Sequence, residues 1–256
     1  MTIEVRMTGI IKPVANVSRL REALSNNMLE HAHFVYRVFL SGQTFKCYAD
    51  EDLNIALAVS EDGKDVIYAG NWHGHDVPEV LPSRDFFVSA CPSEAMEMLR
   101  SRFDITGEWP CWYYITPERY EPGPWDGLGP LTPDDVPFVA QYWELTDEPE
   151  EHIRRKVAEF DSVCMREGGR PLSRVGLHYE VGSVANMGFA HTLEEFRRRG
   201  FGQAVTKAIV NRLADRGVRC TCHVIKDNRE SMALCKRLGF TRIGEATWAD
   251  IGKPLD

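Results

Sequence analysis

The sequence lacks a long apolar run. No stretch of about 18 consecutive apolar residues occurs, so nothing in it predicts a membrane-spanning helix. Glu4, Arg6, Lys12 and Pro13 interrupt the N-terminal segment, which excludes the apolar core of a signal peptide. We therefore expect a cytoplasmic protein with no membrane partner.

Positive charge is also in short supply. The chain has 30 Lys and Arg against 38 Asp and Glu, which gives a net charge of −8. A protein that binds along nucleic acid or an anionic membrane carries the opposite excess, so neither is expected as a partner. A polyanionic ligand would have to bind at a local basic patch.

The seven cysteines do not have the pattern of a disulfide framework. Their number is odd and they are spread through apolar segments, as expected for free thiols in a reducing compartment. Cys220, Cys222 and His223 stand close together without a second group of ligands, which favours a β-strand over a zinc site. His73 and His75 are a similarly isolated pair. No metal is predicted.

Proline and glycine interrupt the chain near its middle. The segment 117–133 reads PERYEPGPWDGLGPLTP, through which no regular element can run. This indicates a linker between two domains of ordinary size, residues 1–120 and 121–256. Both are predicted to be α+β, and the first contains no glycine-rich phosphate loop. It could also be a diverged copy of the second.

In the first domain, apolar spacing predicts two helices, and runs of β-branched and aromatic residues predict five strands. The helices are expected at 17–31 and 93–103, and the strands at 34–40, 44–49, 55–60, 66–70 and 111–116.

In the second domain, helices are expected from residue 132 and at 148–160, and strands at 162–166, 171–179, 184–192 and 218–225. Another helix should begin after Gly200 and stop at Gly217. A last helix should begin at Asn228 as N-cap and end before Gly239.

The chemical signal lies in the loop Arg197-x-x-Gly200-x-Gly202, between a strand and a helix. Free N–H groups at the start of a helix and its macrodipole favour an anion, and glycine lets a phosphate approach. Residues 191–219 hold seven Lys or Arg against three Asp or Glu, an excess that suits a polyphosphate ligand. A solvated arginine run is the plainer alternative.

This succession of elements resembles the GNAT superfamily of acyl-coenzyme A dependent N-acyltransferases. The loop at 197–202 is similar to that family's pyrophosphate-binding signature, and the segment 228–240 to its asparagine-led helix. Residues 171–173 and 192–197 further resemble glycine N-acyltransferase-like (FR47-like) members.

The resemblance implies a mixed central sheet in which the strands at 184–192 and 219–225 splay apart around acyl-coenzyme A, here acetyl-coenzyme A. A degenerate GNAT-like copy in residues 1–120 would fit the same picture. The resemblance places these residues on coenzyme A: Phe189, Ala190, His191, Thr192, Arg197, Arg198, Arg199, Gly200, Phe201, Gly202, Gln203, Ala204, Asn228, Ser231 and Cys235.

The resemblance also implies direct attack of an amine on the thioester. Family members often carry a Tyr acid where Cys235 stands and a Glu base where Asn186 stands, so both roles need substitutes. Cys235 is the predicted acid. His191 is the predicted base, with a rate that falls below a pKa of roughly 6 to 7, and Glu195 is its first substitute.

Other bases stay open, namely Glu194, His178, Glu180, His223 or a chain of waters. The expected acceptor is a small-molecule amine or an amino acid, with Tyr142, Trp143 and Trp248 as candidate pocket walls. A monomer or homodimer is expected. The departures at Asn186 and Cys235 also allow an acyl-coenzyme A sensor with little or no turnover.

Overall fold

The structure, a computed structural model, describes residues 11–123, 128–143 and 148–255. The chain forms two compact units, Met1–Trp112 together with Gly244–Asp256, and Tyr113–Ile243. The boundary expected after residue 120 falls inside the second unit, and residues 244–255 fold with the first. Part of the expected linker lies outside the described residues. Its residue Tyr120 packs within the second unit, where its hydroxyl donates to the Leu238 carbonyl at 2.7 Å.

The first unit is α+β, as predicted. Its elements in chain order are β1 (Lys12–Pro13), α1 (Val17–Ser25), α2 (Met28–Phe39), β2 (Phe45–Ala49), β3 (Ile55–Ser60), β4 (Asp65–Gly70), β5 (Phe86–Cys91), α3 (Ser93–Arg100) and β6 (Phe103–Ile115), whose last residues belong to the second unit.

The second unit is also α+β. Its elements are β7 (Leu128–Gly129), a 3-10 turn at Pro133–Asp135, α4 (Val136–Ala140), α5 (Pro149–Glu159), β8 (Ser162–Glu167), β9 (Arg170–Val181), β10 (Val184–Thr192), α6 (Phe201–Ala214), β11 (Arg219–Ile225), α7 (Arg229–Arg237) and the start of β12 (Thr241–Pro254).

One expected strand is wrong. Residues 34–40 belong to helix α2, and the single helix expected at 17–31 is split into α1 and α2 at Asn26 and Asn27. Phe34, Val35 and Val38 are buried at spacings of one and four residues, which suits a helix face rather than a strand. The sequence did not predict β5 or β12.

The strands of the first unit lie in the order β1-β2-β3-β4-β5-β12-β6. Strands β4 and β5 pair in parallel, at Asp65 with Phe87 and at Val66 with Val88. The chain between them, residues 71–85, is described throughout and contains no helix. The core of this unit includes Trp72, Met96 and, from β12, Ile251.

The strands of the second unit lie in the order β7-β8-β9-β10-β11-β6. One face packs on α6 and α7, where Ala185 and Met187 meet Ile209 and Cys235. The other face packs on α4 and α5, where Phe189 joins a cluster with Val139 and Ile153. Helices therefore cover both faces of this sheet. The sheet opens between the ends of β10 and β11.

Candidate active site

Strands β10 and β11 separate part-way along their length. They pair in parallel from Val184 with Arg219 to Met187 with Cys222, and the pairing stops there. Strand β10 continues to Thr192 and β11 to Ile225, so residues 188–192 and 223–225 flank an opening in the sheet. Edges without a partner strand offer backbone N–H and C=O groups to a ligand. The splayed pair inferred from the sequence resemblance is confirmed.

A β-bulge bends β10 at this opening. Gly188 pairs with Gly176 on β9, but the next pair joins His191 to Arg174, so β10 carries one extra residue. The left-handed φ of Phe189, +36°, lies in the bulge, and Ala190 is exposed beside it. The bulge follows directly on the point where the pairing of β10 with β11 stops.

Two glycines make room for the side chains around the bulge. A Cβ on Gly176 would lie 2.0 Å from Cζ of Phe189, and one on Gly188 would lie 1.8 Å from Nε2 of His178. Any larger residue at either position would collide with a ring. The bulge therefore depends on glycine at both of these facing positions.

The loop that leads into α6 is the segment for which the sequence predicts an anion cradle. Arg197 closes its start by donating from Nε to the Thr192 carbonyl at 3.2 Å. Arg198 has φ +61° and Gly200 has φ +86°, both in the left-handed region. Helix α6 begins at Phe201, so the N–H groups of residues 201–203 have no acceptor within the helix.

Gly202 faces the space next to Thr192. A Cβ at Gly202 would lie 3.3 Å from Oγ1 of Thr192, which in turn is 2.8 Å from Oγ of Ser173. A β-branched side chain would fill the volume that the glycine leaves at the start of α6. Glycine at this position therefore keeps the start of α6 open next to Thr192.

The remaining residues predicted on coenzyme A have different surroundings. Arg198 and Arg199 are exposed, and Arg199 stacks on Phe196 with 5.1 Å between Cζ and the ring centroid. Ala204 is a core residue, 1 % exposed, and its N–H donates to the Gly200 carbonyl at 3.0 Å. Its predicted cofactor contact is not available through that N–H, because the helix already uses it.

Asn228 begins α7 as predicted. Its Oδ1 accepts from the Ser231 N–H at 3.0 Å, so both residues form the N-cap of the helix. Gly239 follows the helix with φ +71°. This places Asn228 and Ser231 at the exposed start of α7.

Cys235, the predicted acid, lies in the core between α7 and β11 and is 4 % exposed. Its thiol forms a hydrogen bond with the thiol of Cys222. That bond and burial raise the pKa of Cys222 well above its usual range. Cys235 therefore belongs to a buried, hydrogen-bonded pair of thiols and is not exposed on the surface of the opening.

Asn186 stands on the opposite face of β10 and is 3 % exposed. Its Nδ2 donates to Oγ1 of Thr221 at 3.1 Å and lies 3.3 Å from Nδ1 of His223. The His223 ring stacks on Tyr113, with centroids 4.3 Å apart. A neutral amide and imidazole network thus occupies the position where the resemblance implies a carboxylate.

His191, the predicted base, lies one pair beyond the bulge. Its ring stacks on Tyr142 at 4.4 Å, and its Nδ1 lies 3.4 Å from Nη1 of Arg174. Burial, followed by the charge of Arg174, lowers the pKa of His191 to about 4. The expected titration near pH 6 to 7 is therefore corrected downward. Glu195 is exposed and pairs with Arg170 at 3.5 Å.

The structure adds Arg174, which sequence reasoning missed. It lies in the middle of β9, in the apolar stretch PLSRVGL, and is 2 % exposed. A lone arginine inside a strand that is otherwise apolar was the available signal. Within the described ranges, no group of three or more His, Cys, Asp or Glu is placed to hold a metal ion. No helix there is long and apolar enough to cross a membrane.

Residues 177–249, which include the bulge, the cradle and α7, match the family model of FR47-like proteins. The C-terminal part of the chain contains an FR47-like domain. The comparison with curated proteins found no match. The FR47-like domain covers most of the second unit's site, from Leu177 on β9 onward.

Solved structures share the fold of the whole chain. A Drosophila protein superposes with a TM-score of 0.71 at 14 % identity, covering 95 % of this chain and 98 % of its own. A GNAT-family acetyltransferase from Colwellia psychrerythraea gives 0.60 at 14 % identity, covering 95 % and 99 %.

A tandem GNAT protein from the clavulanic acid biosynthesis pathway gives a TM-score of 0.52 at 15 % identity, covering 96 % of this chain and 99 % of its own. The FR47-like domain thus belongs to a chain with the GNAT acetyltransferase fold, and the match over the full length fits two GNAT-like halves.

Proposed function

We propose that the protein is an acyl-coenzyme A dependent N-acyltransferase that transfers an acyl group, such as acetyl, to a primary amine of a small molecule or amino acid. The observation that carries this is the opening between β10 and β11, which runs from the bulge at Phe189 to the cradle at Gly200 and Gly202. Together these features would provide a groove for the extended pantetheine arm of coenzyme A and a binding site for its phosphates.

The residues present fit coenzyme A. The N–H groups of residues 201–203 would receive the pyrophosphate, and Gly202 leaves the space that a Cβ would fill. Arg198 and Arg199 supply positive charge at the mouth of the cradle. The free edge of residues 189–192 would pair with the amides of the pantetheine arm as an added strand does.

The chain's own contribution to the reaction is orientation and polarisation. An N–H at the bulge, near Ala190 or His191, would donate to the thioester oxygen, where negative charge grows as the amine attacks. His191 is the proposed base, with Glu195 as its substitute, and Cys235 the proposed acid for the departing thiolate. For Cys235 to act, its thiol must exchange the bond with Cys222 for one to the thiolate.

Calorimetry with coenzyme A tests the binding site. Gly202→Val should raise the dissociation constant at least about tenfold, equivalent to ~1.4 kcal/mol. Gly129→Val is the matched control, because Gly129 lies in β7 of the same unit with nothing within 4 Å of its Cβ position. If the folded Gly202→Val protein and wild type bind coenzyme A with equal affinity, the proposed binding site at the start of α6 is wrong.

Thiol release from acetyl-coenzyme A with a panel of amines tests turnover. Release that depends on the amine supports the transferase. The second candidate function, an acyl-coenzyme A sensor, is favoured by Asn186 at the position of the implied base and by the burial of Cys235. Tight binding of acetyl-coenzyme A without release for any amine would select the sensor.

A further inference from the structure

Among the residues that the structure describes, Arg174 is a buried cation without an ion-pair partner. Its side chain is 2 % exposed, and it forms no ion pair with any carboxylate of the described residues. A guanidinium inside a protein is ordinarily paired with an acid, since removing a lone charge from water costs several kcal/mol. Arg174 departs from this rule.

The hydrogen bonds that Arg174 does form are few and long. Nη1 lies 3.4 Å from Nδ1 of His191, and Nη2 donates to the Val139 carbonyl at 3.4 Å. The Nε–H group is buried and has no acceptor in the described part of the chain. Of the five N–H donors of the guanidinium, most are therefore unused.

Asp135, an acid whose charge acts on Arg174, is held by other groups. Asp135 accepts from both terminal nitrogens of Arg166, at 2.6 and 2.5 Å, and from the N–H and hydroxyl of Thr132, at 2.6 and 2.8 Å. Both of its oxygens are engaged by these groups. Asp135 acts on Arg174 through its charge alone, and no carboxylate of the described residues forms an ion pair with the guanidinium.

Aromatic rings surround the guanidinium instead. Its Cζ lies 5.1 Å from the ring centroid of Tyr142 and 5.9 Å from that of Phe138. Rings hold the planar group in place and leave its edge, the N–H fork, for another acceptor. Burial lowers the pKa of Arg174 to about 10, so the group is charged at neutral pH.

The place of Arg174 ties it to the reaction. It pairs in register with His191, whose strand β10 flanks the opening, and its Nη1 lies 3.4 Å from Nδ1 of His191. We propose that Arg174 is a carboxylate-binding residue of the transferase site, and that one of the two substrates carries a carboxylate which pairs with its N–H fork. The inference rests on the proposed function.

Two sources of the carboxylate are possible, the amine acceptor and the acyl chain, and paired substrates distinguish them. For the acceptor, glycine is compared with methylamine, and phenylalanine with 2-phenylethylamine. For the acyl chain, succinyl-coenzyme A is compared with acetyl-coenzyme A. Binding of N-acetylglycine and of succinyl-coenzyme A, measured by calorimetry, gives a readout that does not need turnover.

The variants are Arg174→Met, which removes the charge at similar length, and Arg174→Lys, which keeps the charge but loses the fork. Arg154→Met is the control, because Arg154 is exposed on α5. We expect Arg174→Met to weaken binding of the carboxylate-bearing member of one pair by about 10- to 100-fold relative to its uncharged counterpart. The affinity of Arg174→Lys for the carboxylate-bearing ligand should lie between those of wild type and Arg174→Met. The affinity for coenzyme A should stay unchanged in both variants.

Thermal unfolding without ligand completes the test. Removing an unpaired buried charge should leave the melting temperature of Arg174→Met unchanged or raise it. Equal losses for both members of every pair, no loss for any carboxylate, or a lower melting temperature with all ligand responses intact would each overturn the proposal. Failure of the proposed function has another signature, since wild-type protein would then not bind coenzyme A.

Discussion

Nη1 of Arg174 lies 3.4 Å from Nδ1 of His191. A guanidinium can only donate, so Nδ1 is the acceptor nitrogen and the neutral ring carries its proton on Nε2. Burial and the positive charge of Arg174 also disfavour the protonated imidazolium form of His191. His191 therefore stays neutral through the physiological range.

We predict that NMR titration of the His191 ring gives a pKa of about 4. Arg174→Met should raise this pKa, because it removes a positive charge next to the ring, while burial keeps it below the ordinary value of 6.5. If His191 is the base, the acid limb of the rate lies near pH 4 and His191→Gln abolishes it. A His191 ring that titrates near pH 6.5 would contradict the described contact.

Glycines in the left-handed region mark both ends of α6. Gly200 has φ +86° at its start and Gly217 has φ +71° beyond its end. Alanine at either position should cost about 1 kcal/mol of unfolding free energy, because a Cβ disfavours this conformation.

Only Gly200→Ala should also weaken coenzyme A binding, since only Gly200 shapes the cradle. Chemical denaturation and calorimetry measure the two effects separately. Gly217→Ala serves as the control with matched strain, and an equal loss of affinity in both variants would mean that the cradle is not the ligand site.

His178 should make the protein sensitive to acid. Trp143 and Phe189 pack around its ring, with centroids at 5.4 and 5.8 Å, and exclusion of water lowers its pKa to about 3. The unfolded chain takes up this proton below pH 6.5 and the folded chain does not, so stability falls with pH from 6.5 toward 3.

The contribution of His178 to that slope is up to ~1.4 kcal/mol per pH unit. His178→Gln should flatten the dependence of the unfolding free energy on pH. His73→Gln, at an exposed position, should leave it as in wild type. An unchanged slope in the His178 variant would place the acid sensitivity elsewhere.

The paired thiols allow a direct test of the proposed acid. Cys235→Ala and Cys222→Ala each remove the same hydrogen bond and a similar buried volume. If Cys235 protonates the leaving thiolate, Cys235→Ala should slow thiol release about 100-fold and change its alkaline limb. Cys222→Ala should leave the rate nearly unchanged. Equal rates in the two variants would remove Cys235 from the mechanism.

One coenzyme A should bind per chain. The first unit has a parallel pair, β4 with β5, but residues 71–85 between them provide no helix and no glycine cradle. Trp72 from this segment is buried in the core instead. Isothermal titration should therefore give a stoichiometry of one, and two equivalent sites would show that the first unit binds the ligand as well.

Local signals in the sequence were enough to predict where α6 and α7 begin. Gly200, Gly202 and the cap formed by Asn228 act within a few residues, and β10 has the predicted bounds of Val184–Thr192. Arg174 and the bulge escaped prediction because they depend on neighbours across the sheet. Gly176 and Gly188 are twelve residues apart in sequence, and only their pairing shows why both must be glycine.

The sequence predicted the fold less well where tertiary contacts determine the secondary structure. Residues 34–40 have the β-branched and aromatic composition of a strand, yet burial against the first unit's core favours a helix. Strand β12 contains Gly, Asp, Lys and Pro, which weaken a local strand signal. Ala249 and Ile251 are buried because β12 packs with strands that are distant in sequence.

Strand β12 also has a consequence for synthesis. Ala249 and Ile251 belong to the core of the unit that begins the chain, and β12 lies between β5 and β6 in its sheet. A nascent chain that has emerged only as far as Trp112 therefore exposes the unpaired edges of β5 and β6. Its first half must wait for residues 244–255 to leave the ribosome, and chaperones that cover strand edges would act during that interval.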